Sequence, residues 1–186
     1  MIHPWPLLAS KQVFDADLFQ IARDRARSPR TGAEHDFHVV SIADWLMVVA
    51  LTKDGRLVLV RQYRHGSREV GLEVPGGLHE GAGESTAEGA ARELMEETGY
   101  GGGRWAFLGE LRPQPALLSN RAWIYLATEL ELTTEPQPDP AEDVEVVLLA
   151  PAGIPACITC RQINNAMTVA ALALAQFGGH LGRNRQ

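Results

Sequence analysis

The stretch ARELMEETGY, residues 91–100, puts Glu93, Glu96 and Glu97 within one turn of a predicted helix. Like charges three and four residues apart repel there. Advancing about 100° per residue from Glu93 sets Glu97 near 40° and Glu96 near 300°, while Ala87, Ala91, Leu94 and Thr98 gather between about 100° and 160°. The pattern predicts an apolar stripe turned toward a core and three carboxylates turned outward together. Gly89 falls near 320° on the same wheel, inside the acidic face, where a helical glycine costs roughly 1 kcal/mol. Its missing side chain would clear room beside Glu93. A solvated acidic face would intersperse Lys, and this one has none. Hard divalent cations take carboxylate oxygens together with substrate phosphate oxygens, so the face reads as a metal site.

The helix has legible ends. Ser85 and Glu88 are spaced as a capping box, and Gly99 suits a left-handed stop. Upstream lie a short strand, EVGLEVP, and the glycine-rich loop GGLHEGAGE. Before them, FHVVS and WLMVVALT read as strands, and KDG as a hairpin turn leading into RLVLVRQYR. VFDADLFQIARDRARSPRTG is early strand material ending in a turn. Downstream, RWAFLGEL and AWIYLATELEL are strands around the loop RPQPALLSN. A polar, Pro-rich loop, TTEPQPDPAED, precedes the strand VEVVLLA, and INNAMTVAALALAQF is a last amphipathic helix. Strands outnumber helices, which predicts an α+β domain with a mixed sheet and helices packed on it.

Composition narrows the partners. The chain has 186 residues, enough for one domain or one domain with an extension, and 45% are hydrophobic, ordinary for a globular core. No apolar run approaches a bilayer span, and the N-terminus lacks a basic leader region, so no membrane is expected. The net charge is −6 without a basic block, which argues against nucleic acid. Two cysteines, Cys157 and Cys160, do not make a disulfide framework, and a reducing cytoplasm is the default. PACITC reads as semi-buried packing, and His79 as an exposed loop histidine.

GGLHEGAGESTAEGAARELMEETGY resembles the Nudix box: Gly, five residues, Glu, seven residues, then Arg-Glu-aliphatic-x-Glu-Glu-x-Gly-aliphatic. Glu84, the seven-residue gap, Arg92, Glu93, Leu94, Glu96, Glu97 and Gly99 match. Tyr100 stands at the last aliphatic position, and Gly77 to Glu84 encloses six residues, not five. The extra residue sits among glycines able to absorb it. The resemblance implies a Nudix fold, a mixed sheet sandwiched between helices, with an N-terminal strand extension. It also implies Mg2+ or Mn2+ held by Glu93 and Glu97, with Glu96 as a further or water-mediated ligand and the Gly77 carbonyl as another. Arg92 would fix Glu84 and so tie the loop to the helix.

Beyond the box, VALTKDGRLVLVRQYRHGSREVGLEVPGG resembles the ADP-ribose pyrophosphatase branch, as does RPQP with Pro115. That likeness implies hydrolysis of ADP-ribose to AMP and ribose 5-phosphate. Arg's planar fork suits two phosphates, so Arg61 and Arg64 are expected at the pyrophosphate or ribose, and Glu73 at a ribose hydroxyl. Trp5, Phe14, Phe19 and Tyr63 are possible adenine stackers, though such residues are more often core. The general base is expected on the late loop, at Glu142, with Asp139 and Glu96 behind it. Residues 1–40 would form the extension and dimerise, with Trp5 or Phe19 serving the partner's pocket, and residues 41–186 would form the hydrolase domain. Two alternatives stand beside this reading: another nucleoside diphosphate sugar, such as GDP-mannose, as substrate, or a non-catalytic ADP-ribose sensor.

Overall fold

Trp45 to Thr52 is apolar at nearly every position, the pattern of a strand buried on both faces. It forms β4 (Trp45–Thr52), inside a seven-stranded sheet. The computed structural model describes residues 1–81, 83–139 and 141–181. They fall into two units, one of residues 1–44 with 112–121 and one of residues 45–111 with 122–181.

In the first unit, β1 (Leu7–Asp15), β2 (Phe19–Arg27) and β3 (Glu34–Ile42) make an antiparallel sheet in sequence order. Arg25 pairs with Asp36 and Arg27 with Glu34 across the β2–β3 register. The N–H of Val40 donates to the carbonyl of Leu117 at 2.9 Å, which attaches the loop of residues 112–121. β1 is exposed along its whole length.

In the second unit, β5 (Leu57–Arg64) lies between β4 and β10 (Val144–Leu149), and β6 (Glu69–Glu73) joins its far end. β9 (Ala122–Leu132) runs parallel to β4 and carries β8 (Arg104–Leu111) and the two-residue β7 (Tyr100–Gly101), which the sequence did not announce. Alternation along β4 and β5 sends side chains to both faces. Met47, Val49, Leu51, Leu57 and Leu59 meet Ile154 and Cys157 of α2 (Ile154–Thr159) and Ala171, Leu172 and Ala175 of α3 (Ala166–Phe177). Leu46, Val48, Ala50 and Val58 meet Ala90 and Leu94 of α1 (Thr86–Thr98). The mixed sheet is therefore sandwiched between helices, as expected. Leu94 is fully buried there, and truncating it to Ala would cost about 2–5 kcal/mol.

PACITC, read as semi-buried packing, lies on α2 and its C-cap, with Cys157 buried in the core and Cys160 exposed, both free thiols. Among the described residues no helix is long and apolar enough to cross a membrane.

Candidate active site

Both predicted ends of α1 are present. Ser85 Oγ accepts from the Glu88 N–H, Glu88 Oε2 accepts from the Ser85 N–H, and Gly99 closes the helix at φ 72°. The helix start delivers Glu84 to Arg92. Arg92 Nε donates to Glu84 Oε2 at 2.9 Å and Nη2 to Oε1 at 3.3 Å, the expected latch. This bond keeps the Glu84 carboxyl below the usual carboxylate range and Arg92 firmly charged. Arg92 Nη1 also donates at 3.0 Å to both Glu93 Oε1 and Glu96 Oε2. One guanidinium thus neutralises part of the acidic face.

The helical wheel needs correcting at three positions. Glu97 does not face outward: it is 2% exposed. The chain leaving β6 crosses to β4, where the N–H of Val48 donates to the Pro75 carbonyl and that of Leu46 to the Gly77 carbonyl, both at 2.9 Å. This crossing covers the Glu97 side of α1, and the Gly76 N–H donates to Glu97 Oε2 at 2.8 Å. Ala87, placed on the apolar stripe by the wheel, is exposed. Gly89 makes room not for Glu93 but for Glu84 and Leu46, whose atoms would lie 2.5 and 2.6 Å from an added Cβ. Gly77 is the glycine that clears Glu93, since a Cβ there would stand 2.4 Å from its carboxyl carbon. The carbonyl of Gly77 already accepts from Leu46, leaving one lone pair.

Burial sets the electrostatics. Desolvation raises the Glu97 carboxyl to about 8 against the opposing pull of the Gly76 N–H, with the neighbouring charges of Glu142 and Glu93 adding to the rise. Glu93 is raised as well, first by desolvation, with Arg92 pulling the other way. Glu142 sits on an exposed loop close enough to act on Glu93, Glu97 and Arg64. Its N–H donates to the Asp139 carbonyl at 2.8 Å, and Asp139 Oδ1 accepts from the Ala141 N–H, so Asp139 holds the turn that presents Glu142.

The two arginines of RQYR separate. Arg64 lies on the α1 face of β5, and its Nε and Nη2 donate to Glu73 Oε1 and Oε2 at 3.1 and 3.0 Å. Arg61, three residues earlier on the strand, lies on the opposite face and pairs with Glu145 at 2.7 Å. Glu73 is buried and spends both oxygens within the protein, the second also accepting from Asn165. Pro115 is exposed within the first unit. Trp5, Phe14 and Tyr63 are exposed and Phe19 is partly buried, so none of the four is core. Trp5 stacks edge-on to Phe37, and Tyr63 to His65. His79 is not a free loop histidine: it is partly buried, with Nε2 2.9 Å from the Glu84 carbonyl.

Among the described residues no three acidic, His or Cys side chains are already gathered at ligand separation, and Arg92 holds one oxygen each of Glu93 and Glu96. The donor set nevertheless fits a hard divalent cation. All the donors are carboxylate or carbonyl oxygens, and among the described residues no side chain donates to the buried carboxylate of Glu97. Gly76, which orients Glu97, and Asn165, which holds Glu73, are site residues that sequence reasoning missed. The second glycine of GLEVPGG was the available signal for the first.

Comparison with known proteins agrees with this geometry. The NUDIX domain profile matches residues 43–159, a span containing the whole of α1 and its glycine loop. An ADP-ribose pyrophosphatase of Mycobacterium tuberculosis is 32% identical over 135 residues, covering 73% of this chain and 65% of that enzyme. An ADP-ribose pyrophosphatase of Bacillus subtilis is 26% identical over 171 residues, 91% of each chain. A solved crystal structure of an ADP compounds hydrolase superposes with a TM-score of 0.83 at 25% identity, covering 97% of this chain and 99% of that one. With the profile spanning most of the chain and the carboxylates, latch and sheet in place, the protein belongs to the NUDIX family.

Proposed function

We propose that this chain hydrolyses the pyrophosphate of ADP-ribose to AMP and ribose 5-phosphate, with Mg2+ or Mn2+ as cofactor. The observation that carries the reading is the convergence of Glu93, Glu97, Glu142 and Arg64 on the α1 face of the sheet, with Glu97 buried and, among the described residues, taking no hydrogen bond from a side chain. The names of the similar pyrophosphatases and of the solved hydrolase support the substrate. Intact box carboxylates favour an enzyme over a sensor.

Glu93, Glu97 and Glu96 would hold the cation, with the remaining lone pair of Gly77 beside them. Bound there, the cation would neutralise phosphate charge and polarise the phosphorus toward attack. Arg64 keeps N–H groups free of Glu73 that can meet a phosphate oxygen. Glu142 accepts the proton of the attacking water. One P–O bond of the pyrophosphate forms to that water as the bridging P–O bond breaks, and the leaving phosphate keeps the bonding electrons. Arg92 and Glu84 keep the helix and loop in register during the step. Glu73 steadies Arg64, and Arg61 could reach a phosphate or ribose only from the opposite face of β5. Pro115 is kept as a substrate-binding residue, and Trp5 or Phe19 would help wall the partner's adenine pocket in a homodimer made by residues 1–40. Residues 41–186 form the hydrolase domain in this reading, and two free thiols are consistent with a cytoplasmic protein.

A panel of nucleoside diphosphate sugars with Mg2+, read as phosphate released after phosphatase treatment of the products, tests the assignment. ADP-ribose should be the best substrate and yield AMP. Preference for GDP-mannose would replace the substrate, and no turnover of any member would favour the sensor.

A further inference from the structure

Asn165 is the N-cap of α3, and its side chain does two things at once. Oδ1 accepts from the N–H groups of Met167 and Thr168 at 2.9 and 3.1 Å, while Nδ2 donates to Glu73 Oε2 at 3.0 Å. Only one orientation of the amide satisfies both ends, because a flip would aim NH2 at two N–H donors and oxygen at a carboxylate. The cap therefore fixes a donor on Glu73.

Glu73 in turn grips Arg64 through the two parallel bonds already described, a geometry that fixes direction as well as distance. Arg64 is half-exposed on a long flexible stem, while Glu73 is almost fully buried. Left to itself, the guanidinium would be drawn by the charges of Glu97 and Glu142 into the acidic cluster. Held by Glu73, it keeps its remaining N–H groups available beside that cluster.

The helix end that carries Asn165 is keyed to β6 by further contacts. The Gln162 carbonyl accepts from the Leu72 N–H at 2.7 Å, Asn164 Nδ2 donates to Glu69 at 2.7 Å, and the buried Thr168 Oγ1 accepts from the Val74 N–H at 3.3 Å. Residues 162–168 thus line the outer edge of β6, and the cap cannot drift relative to Glu73.

We infer that Asn165 is a positioning residue for substrate binding, acting through Glu73 to aim Arg64 at the paired phosphates. This rests on Arg64 contacting substrate, as proposed above.

Asn165→Ser keeps a good cap but its hydroxyl cannot reach Glu73 while capping, and Asn165→Asp keeps the cap while setting a carboxylate against Glu73. Asn165→Ser should melt within about 2 °C of the parent, while Asn165→Asp should melt lower because two carboxylates then face each other. For ADP-ribose with saturating Mg2+, Asn165→Ser should raise KM about fivefold with kcat nearly unchanged, and Asn165→Asp should raise it further. Arg64→Ala is the reference and should raise KM at least as much. Unchanged KM in both Asn165 variants, with a raised KM in Arg64→Ala, would reduce Asn165 to a helix cap. A Tm of Asn165→Ser falling in step with its KM would do the same. An unchanged KM in Arg64→Ala would overturn the substrate role of Arg64 and the inference with it.

Discussion

The backbone N–H of Gly76 donates to the buried carboxylate of Glu97 at 2.8 Å, so the glycine loop ends on an acid of α1 and not on a base. That contact orients Glu97 but does not compensate its burial. In the metal-free protein the Glu97 carboxyl is raised to about 8, above its unfolded value near 4.5. Between those values the folded state keeps a proton that the unfolded state has released, so stability falls as pH rises from about 5 to 8.

Glu97→Gln removes that liability. In chelator, the wild-type melting temperature should decline across this window and the variant's should decline less, leaving the variant the more stable at pH 8. Differential scanning calorimetry decides it. A variant less stable than wild type at pH 8 would mean that the carboxylate is better compensated than its single hydrogen bond implies.

Glu142 and Asp139 share one loop but not one task. Glu142→Gln should lower kcat by about 10²-fold or more with little change in KM, the mark of a lost general base. Asp139→Asn should cost less, since an amide oxygen still accepts from Ala141. Steady-state kinetics on both variants tests this. If Asp139→Asn fell further than Glu142→Gln, the base would move to Asp139.

How legible this site was depended on how local each signal is. Ser85, Glu88 and Gly99 follow from spacing within one helix and its entry loop, and the Glu84–Arg92 latch from the family resemblance of that same stretch. The burial of Glu97 does not, because it comes from residues 75–77 crossing to β4, a contact no helical wheel contains. Gly89 was misassigned for the same reason: its neighbours are Glu84 and Leu46, from outside the helix. The separation of Arg61 from Arg64 was available in principle. Three residues along a strand is an odd step, which sends two side chains to opposite faces. Asn165 was hidden because its partner lies 92 positions away.

The loop carrying one residue more than the Nudix spacing offers a separate test. Gly81 is exposed at φ 82°, and an added Cβ would meet nothing within 4 Å. Ala82 lies outside the described residues. Deleting Gly81 should leave activity within about threefold, because the ends at Gly77 and Glu84 are pinned by Leu46 and Arg92. Loss of both turnover and Mg2+ affinity would make the longer loop part of the site.

The first unit presents apolar side chains that a monomer leaves in water: Leu7, Val13, Phe14 and Phe37 are each more than 40% exposed. An edge strand exposed along its whole length is an association hazard unless another chain covers it. Light scattering at micromolar concentration should give a dimer mass, and a strictly monomeric mass would contradict the homodimer. Removing residues 1–12 should then raise KM more than it lowers kcat, since the partner's segment would serve substrate binding. Equal losses would count against a shared pocket.

Cation-dependent hydrolysis by the α1 carboxylates is tested most directly by following ADP-ribose with Mg2+ and with chelator, in the wild type, Glu93→Gln and Glu97→Gln. Wild type should form AMP and ribose 5-phosphate in equal amounts only when the metal is present, and each variant should lose about 10²-fold or more while remaining folded. Equal wild-type rates in chelator, or near-normal rates in both variants at saturating Mg2+, would contradict it.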